Sequence, residues 1–276
     1  MSAQAHRATV DFGLPENIYG HVKRLEWIAS HLEPGARVLE IGCGTGYMIT
    51  LPLIRAGWDV TGVDTDAASI DYGRGLLAAE GLDPTRLRSV DAATLTGEFD
   101  AVILSEVLEH IPDGGIQTLL ATVRELLAPR GRLFITVPNG YGWYELEAFL
   151  WNRMGVGRLL EVLRVQRAVL ALKARLASLA LTYDHPSSLD ASPHVQRFTW
   201  DSVARTVRSA GFSVVDRGGT VLFAGQLSNL FFTGYAWAAA LNRALGSAMP
   251  ALASSFMIMA IREFECDRGA GIEQGA

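Results

Sequence analysis

Between residues 36 and 139 the chain alternates short apolar runs with longer stretches of helical spacing. Val38-Leu39-Glu40-Ile41 reads as a buried strand, and residues 47–56 as the helix that follows it. Residues 59–64 give a second strand ending on Asp64, and Asp66 is placed to cap a helix that runs to about Glu80. Residues 86–90, 99–105 and 132–137 are three further strands. The run Ala101-Val102-Ile103-Leu104 suits the middle of a parallel sheet. Pro112 starts a helix that Pro129-Arg130-Gly131 stops. Upstream, Ile18, Val22, Leu25, Trp27, Ile28 and Leu32 give residues 15–32 one apolar helical face, ended by Glu33-Pro34-Gly35. Alternating strands and helices with right-handed crossovers predict an α/β fold built on a doubly wound parallel sheet.

Past Asn139 the regular alternation breaks. Two helical pieces, 144–154 and 157–181, precede a turn-rich linker at 183–193. A connection this long carries structure or function of its own. The second piece bears Arg158, Arg164, Arg167, Lys173 and Arg175 among leucines and valines. Such a helix suits a cap over a substrate pocket, and its basic character also suits an anionic membrane surface. Residues 199–210 predict a helix ended by Gly211, and 212–223 a strand. No charged residue occurs from 218 to 242. Gln226, Ser228, Asn229 and several glycines make a membrane span unattractive there, and a pocket wall or a homodimer interface fits better. Residues 254–264 are the last strand. The expected division is an entry helix (1–35), a cofactor-binding core (36–139) and a helical insertion (140–197). The returning core (198–265), with an apolar helical insertion at about 225–248, and a frayed tail (266–276) complete it.

Composition narrows the class. With 276 residues and 49% hydrophobic content the chain can bury a large core. The net charge of −5 argues against a DNA-binding protein and disfavours RNA. Two cysteines, Cys43 and Cys266, make neither a metal pattern nor a disulfide framework, which fits a reducing cytoplasm. Residues 1–20 hold no apolar core of signal-peptide length, so a cytoplasmic location, with contact at a membrane surface as an option, is expected.

The chemistry gathers at the strand ends. Gly42-Cys43-Gly44-Thr45-Gly46 lies at a strand-to-helix turn, where glycines let a ligand approach the backbone and a helix N-terminus offers unpaired N–H groups. A dinucleotide turn has G-x-G-x-x-G spacing, but Tyr47 stands where its third glycine would be. With Glu40 the pattern is E-x-G-x-G-x-G, which resembles the first motif of class I S-adenosylmethionine-dependent methyltransferases. The resemblance covers about residues 33–139, including Ser105-Glu106-Val107-Leu108-Glu109-His110-Ile111-Pro112. It implies a Rossmann-like seven-stranded, mostly parallel sheet, its seventh strand antiparallel, with an inserted helical cap. It implies S-adenosyl-L-methionine as cofactor, the glycine turn beside its methionine part, Asp64 on its ribose and Asp91 on its adenine amino group. Glu40, Gly42, Gly44, Gly46, Asp64, Thr65, Asp91, Ala92 and Ser105 are the expected cofactor residues. Glu40, Asp64, Asp91, Ser105 and Asn139 all fall at the carboxyl ends of strands, where such sheets bind ligands.

For the acceptor, Ser105-Glu106-Val107-Leu108 replaces the Pro-Pro-aromatic segment of amino-methylating DNA enzymes, and a Pro-Cys nucleophile is absent. What remains is a small or amphipathic, lipid-like acceptor, methylated most often at oxygen. His110 and His194 are the candidate bases. Tyr19, His21, Asn139, Tyr141 and Tyr144 are candidate pocket residues. Glu106-x-x-Glu109-His110 also resembles the metal motif of ubiquinone-biosynthesis O-methyltransferases and of small-RNA 2′-hydroxyl methyltransferases. With His194 it gives a metal-assisted alternative, although no metal is the favoured expectation. The remaining alternatives are ribose methylation of RNA and a catalytically silent cofactor-binding subunit.

Overall fold

The computed structural model describes residues 19–175, 185–190 and 192–263. Helix α1 (His21–His31) enters the sheet, and the part of the expected entry helix before Tyr19 lies outside the described residues. Then come β1 (Arg37–Ile41), α2 (Thr50–Arg55), β2 (Asp59–Asp64), α3 (Ala67–Ala79) and β3 (Leu87–Ser89). They are followed by β4 (Phe99–Ser105), α4 (Asp113–Leu126) and β5 (Leu127–Pro138).

The insertion holds α5 (Trp143–Ala148), a π-turn (Phe149–Arg153), α6 (Val156–Val162) and α7 (Val165–Arg175). The chain returns through α8 (Trp200–Ser209) and β6 (Phe212–Gly219), then α9 (Gln226–Phe232), α10 (Ala236–Ala248) and β7 (Ser255–Arg262). The seven strands form one sheet in the order β3-β2-β1-β4-β5-β7-β6. β1 to β5 pair in parallel, and β7 runs antiparallel between β5 and β6.

Strand pleating sorts the core into two layers. Leu39, Ile41, Val102 and Leu104 face α4 and α8 through Leu120, Val123, Val203 and Val207. Val38, Val60, Ala101 and Ile103 face the other way, onto Leu25, Ile28 and Leu53 of α1 and α2. Burial on both faces is why these strands read as continuous apolar runs.

Three expectations are corrected. The helix expected at 47–56 begins only at Thr50. Pro52 has no N–H and is tolerated in a first turn but not in the interior of a helix begun at Tyr47. The helix expected at 157–181 is two, because Arg164 takes φ 57° between α6 and α7. Its stretch beyond Arg175, residues 176–181, lies outside the described residues. The uncharged stretch is likewise two helices, α9 and α10, and Trp237 and Leu241 of α10 are exposed. Among the described residues no helix is long and apolar enough to cross a membrane.

Candidate active site

A cleft of about 580 Å³ opens at the carboxyl ends of β1, β2, β3 and β4. Glu40, Gly42, Gly44, Asp64, Thr65, Asp91, Ala92 and Ser105 line it, as do His21, Arg24, Glu106 and His110. The strand order explains this gathering. β1 lies between β2 and β4, and the chain reverses direction in the sheet there, so loops part and leave a crevice.

The glycine turn differs from its sequence-based expectation. Every N–H from Gly42 to Tyr47 is bonded within the protein. Gly42 and Cys43 donate to the Val63 carbonyl (2.8 and 3.1 Å), Gly44 to Asp64 Oδ2 (2.7 Å) and Thr45 to the Ser187 carbonyl (2.9 Å). Gly46 donates to the Cys43 carbonyl (2.8 Å) and Tyr47 to Thr45 Oγ1 (3.3 Å). The turn therefore offers no row of free donors to an anion. Nor is the room left by the missing side chains open to a ligand. A Cβ on Gly42 would lie 2.6 Å from Val107 Cγ2, and one on Gly44 2.2 Å from the Ser187 carbonyl oxygen. Gly46 does not line the cleft. It packs against Leu87 and Thr50, which corrects its expected place among cofactor residues.

Asp64 organises the rim. Its Oδ2 takes the Gly44 N–H and its Oδ1 the Asp66 N–H at 2.9 Å, so one side chain fixes both the turn and the start of α3. Asp66 caps that helix through the N–H groups of Ala68 and Ser69. Asp91 accepts from Ala93 N at 2.9 Å and also lines the cleft, so capping and lining coexist. Glu40 is buried and accepts from the Thr50 hydroxyl. Burial pushes its pKa up to about 8, which leaves it largely uncharged at neutral pH. Burial likewise pushes the Cys43 thiol up, so it packs rather than attacks.

Arg24 reaches the cleft from α1. It is 5% exposed, and its guanidinium meets Glu106 Oε1 at 2.8 Å, Thr136 Oγ1 at 3.3 Å and His21 Nδ1. Glu106 holds φ 56°, a conformation costing a non-glycine residue about 1–2 kcal/mol. Its N–H to the Thr136 carbonyl (2.9 Å) and its carboxylate contacts keep it there.

Past Glu106, a 3-10 turn (Leu108–His110) buries Glu109 and leaves His110 at the cleft. The Glu109 carbonyl accepts from Val195 N (2.8 Å) and Gln196 N (3.0 Å), which brings His194 against His110. His110 Nε2 lies 3.9 Å from Glu109 Oε1. Both Glu109 carboxylate oxygens are buried without a hydrogen-bond partner among the described residues. Burial, reinforced by the Glu106 charge, raises its pKa to about 9. One ligand atom each of Glu109, His110 and His194 lies within 4.8 Å of the others. Glu106, expected beside them, is turned to Arg24 instead.

The candidate pocket residues divide. His21 lines the cleft, whereas Tyr19 and Tyr144 do not, and Tyr19 stacks edge-on with both His21 and Tyr144. Asn139 and Tyr141 are corrected. Asn139 is buried and spends its amide on the Ala251 and Ala253 carbonyls, while Tyr141 is 70% exposed and does not line the cleft. Ser187, Ser188, Asp190 and Ser192, from the stretch read only as a linker, do line it.

A family model described as a methyltransferase domain matches residues 19–217. The ubiquinone biosynthesis O-methyltransferase of Xanthomonas axonopodis pv. citri is 38% identical over 120 residues, 42% of this chain and 49% of that protein. The protein of the same name from Nitrosococcus oceani is 37% identical over 120 residues, 42% of this chain and 50% of its own. The chain thus spans about half the length of the curated relatives it matches. Among solved structures it resembles the magnesium protoporphyrin IX methyltransferase of Synechocystis PCC 6803 with bound SAH. That match has a TM-score of 0.51 at 17% identity over 88% of this chain and 81% of the other. A glycopeptide N-methyltransferase complexed with S-adenosylmethionine gives 0.51 at 17% identity, over 88% and 94%. At such identities these likenesses show the fold they share.

Proposed function

The chain belongs to the class I S-adenosylmethionine-dependent methyltransferases, and from that premise we propose that it methylates a small or amphipathic acceptor at oxygen. One observation carries the reading: the cleft lined by Gly42, Gly44, Asp64 and Asp91 reaches His110, whose ring meets that of His194.

The residues present fit this cofactor. The cleft volume lies in the usual range for small-molecule sites, about 300–1,000 Å³. Arg24 is its permanently charged cation among the described lining residues and suits the cofactor's carboxylate. Asp64, Asp66, Asp91 and Asp190 supply acceptors for hydroxyl and amino groups and favour a cationic ligand. We assign Asp64 to the ribose and Asp91 with Ala92 to the adenine. With the turn amides spent inside the protein, recognition falls to these side chains and to the turn's carbonyls.

Bound cofactor supplies a methyl group on a sulfonium leaving group. The protein's part is alignment, worth on the order of 7–11 kcal/mol, and removal of the acceptor proton. His194 is held neutral, since burial and then the neighbouring His110 lower its pKa against weaker pulls from Glu106 and Glu145. We assign the imidazole pair to proton removal from an acceptor hydroxyl, with Arg24 and Glu106 fixing the floor of the site. Isotopically labelled cofactor incubated with metabolite and lipid extracts tests this. A labelled methyl ether or ester is expected, and label only on nitrogen or carbon would overturn the oxygen assignment.

A metal-assisted variant has its own support in the unpartnered carboxylate of Glu109 beside two imidazoles. With Glu106 diverted to Arg24, the set of two imidazoles and one carboxylate favours zinc, manganese or iron over magnesium. These three residues would hold the ion, which would acidify an acceptor hydroxyl. Full activity after EDTA treatment would remove this variant and leave the imidazole base.

A further inference from the structure

Residues 185–190 cross the glycine turn. The Ser187 carbonyl accepts the Thr45 N–H at 2.9 Å, and the Pro186 carbonyl accepts the Thr45 hydroxyl at 2.7 Å. Leu189 N–H donates to Ser69 Oγ at 2.8 Å, and the Tyr72 hydroxyl meets His185 Nδ1 at 2.8 Å. The His185 ring stands edge-on to Tyr47, with 5.1 Å between centroids. These contacts tie the segment to both the turn and α3. Ser187, Ser188 and Asp190 then line the cleft together with Asp64, Asp66 and Asp91.

We infer that residues 185–190 are a retaining strap that lifts to admit S-adenosylmethionine and to release S-adenosylhomocysteine. The inference rests on the cofactor reading above. Three observations carry it. The cleft keeps about 580 Å³ with the segment in place, so the segment bounds the site without filling it. Its hold is polar: His185 is half-buried and the other five residues are exposed, Leu189 included. A segment with few buried apolar contacts opens at low cost. Finally, Gly44 is shaped to receive it, since any Cβ there would strike the Ser187 carbonyl. Gly44 thus both lines the cleft and makes room for the strap.

Tyr72 and His185 anchor the strap without lining the cleft, so Tyr72→Phe and His185→Ala test it. Calorimetry first measures S-adenosylhomocysteine binding to the full wild-type chain. Stopped-flow displacement then measures its release from wild type and variants. Loss of one hydrogen bond predicts release faster by about fivefold in Tyr72→Phe, and faster still in His185→Ala, which also loses the ring contact with Tyr47, with association no slower in either. Hydrogen exchange gives an independent readout, the amides of Thr45 and Leu189 being expected to slow when S-adenosylhomocysteine is bound. Normal binding with unchanged release in both variants, or with no change in exchange, would overturn the strap and leave the methyltransferase reading standing. No binding by wild type would bring down both.

Discussion

The imidazoles of His110 and His194 meet edge to face, 4.9 Å between centroids, although 83 residues of chain separate His110 from the Pro193 carbonyl that its Nδ1 contacts. Burial and the adjacent ring hold His194 below the ordinary histidine value of 6.5. Its basic form is therefore already populated at neutral pH. The kcat/KM profile is expected to rise with pH through a limb lying below 6.5 and to stay level through neutrality. His194→Ala should lower kcat/KM by roughly a hundredfold and abolish that limb. A limb that survives the substitution would move the proton-accepting role to another group.

Glu109 makes stability depend on pH. Its carboxyl, ordinarily near 4.5, is raised to about 9 in the folded chain, chiefly by burial and next by the Glu106 charge. Between those values the native state keeps a proton that the unfolded chain has lost. The associated stability is complete below about pH 4.5 and disappears as pH climbs through about 9. Glu109→Gln in EDTA should melt close to wild type at pH 5 and at a higher temperature than wild type at pH 9. Glu40, raised to about 8, pulls both proteins the same way, so the difference between them isolates Glu109. Parallel melting curves at both pH values would mean that Glu109 is ionised in its site.

Asp64 is expected to act twice. Its two oxygens hold the Gly44 and Asp66 amides, and the ribose assignment gives them a second partner. Asp64→Ala should weaken S-adenosylhomocysteine binding by at least tenfold, because hydrogen bonds to a charged group are the stronger kind. It should also lower the melting temperature of the empty protein. Calorimetry and thermal denaturation together check this, and unchanged affinity would refute the ribose assignment.

The sheet was legible because its signals are local. The apolar run and breakers around β4 set bounds of 99–105 that the structure reproduces, and Asp66 caps α3 as its position suggested. The glycine turn was legible as a turn but not as a paired one. Its Thr45 donor goes to Ser187, a partner 142 residues away, and no period or motif reports such a contact. Glu106 and Glu109 look equivalent in sequence, yet Arg24 on α1 takes one and leaves the other buried alone. Pro52 was the overlooked local signal, since a proline at that place already excludes a helix begun at Tyr47.

Arg24 gives the sharpest test of how the cofactor is oriented. The guanidinium is buried at the cleft, and Glu106 neutralises it from one side. A carboxylate on the ligand would meet it from the other, in the low-dielectric setting where a charged hydrogen bond counts most. Arg24→Gln should therefore weaken S-adenosylhomocysteine by roughly 10- to 100-fold. It should leave 5′-methylthioadenosine, which has the nucleoside and sulfur but no carboxylate, nearly unchanged. The substitution also strips Glu106 of its partner, so some loss of melting temperature is expected. Adding Glu106→Gln removes the orphaned charge and should recover that loss without restoring affinity. Equal weakening of both ligands would show that Arg24 only shapes the pocket, and the carboxylate would then have to lie elsewhere along the rim.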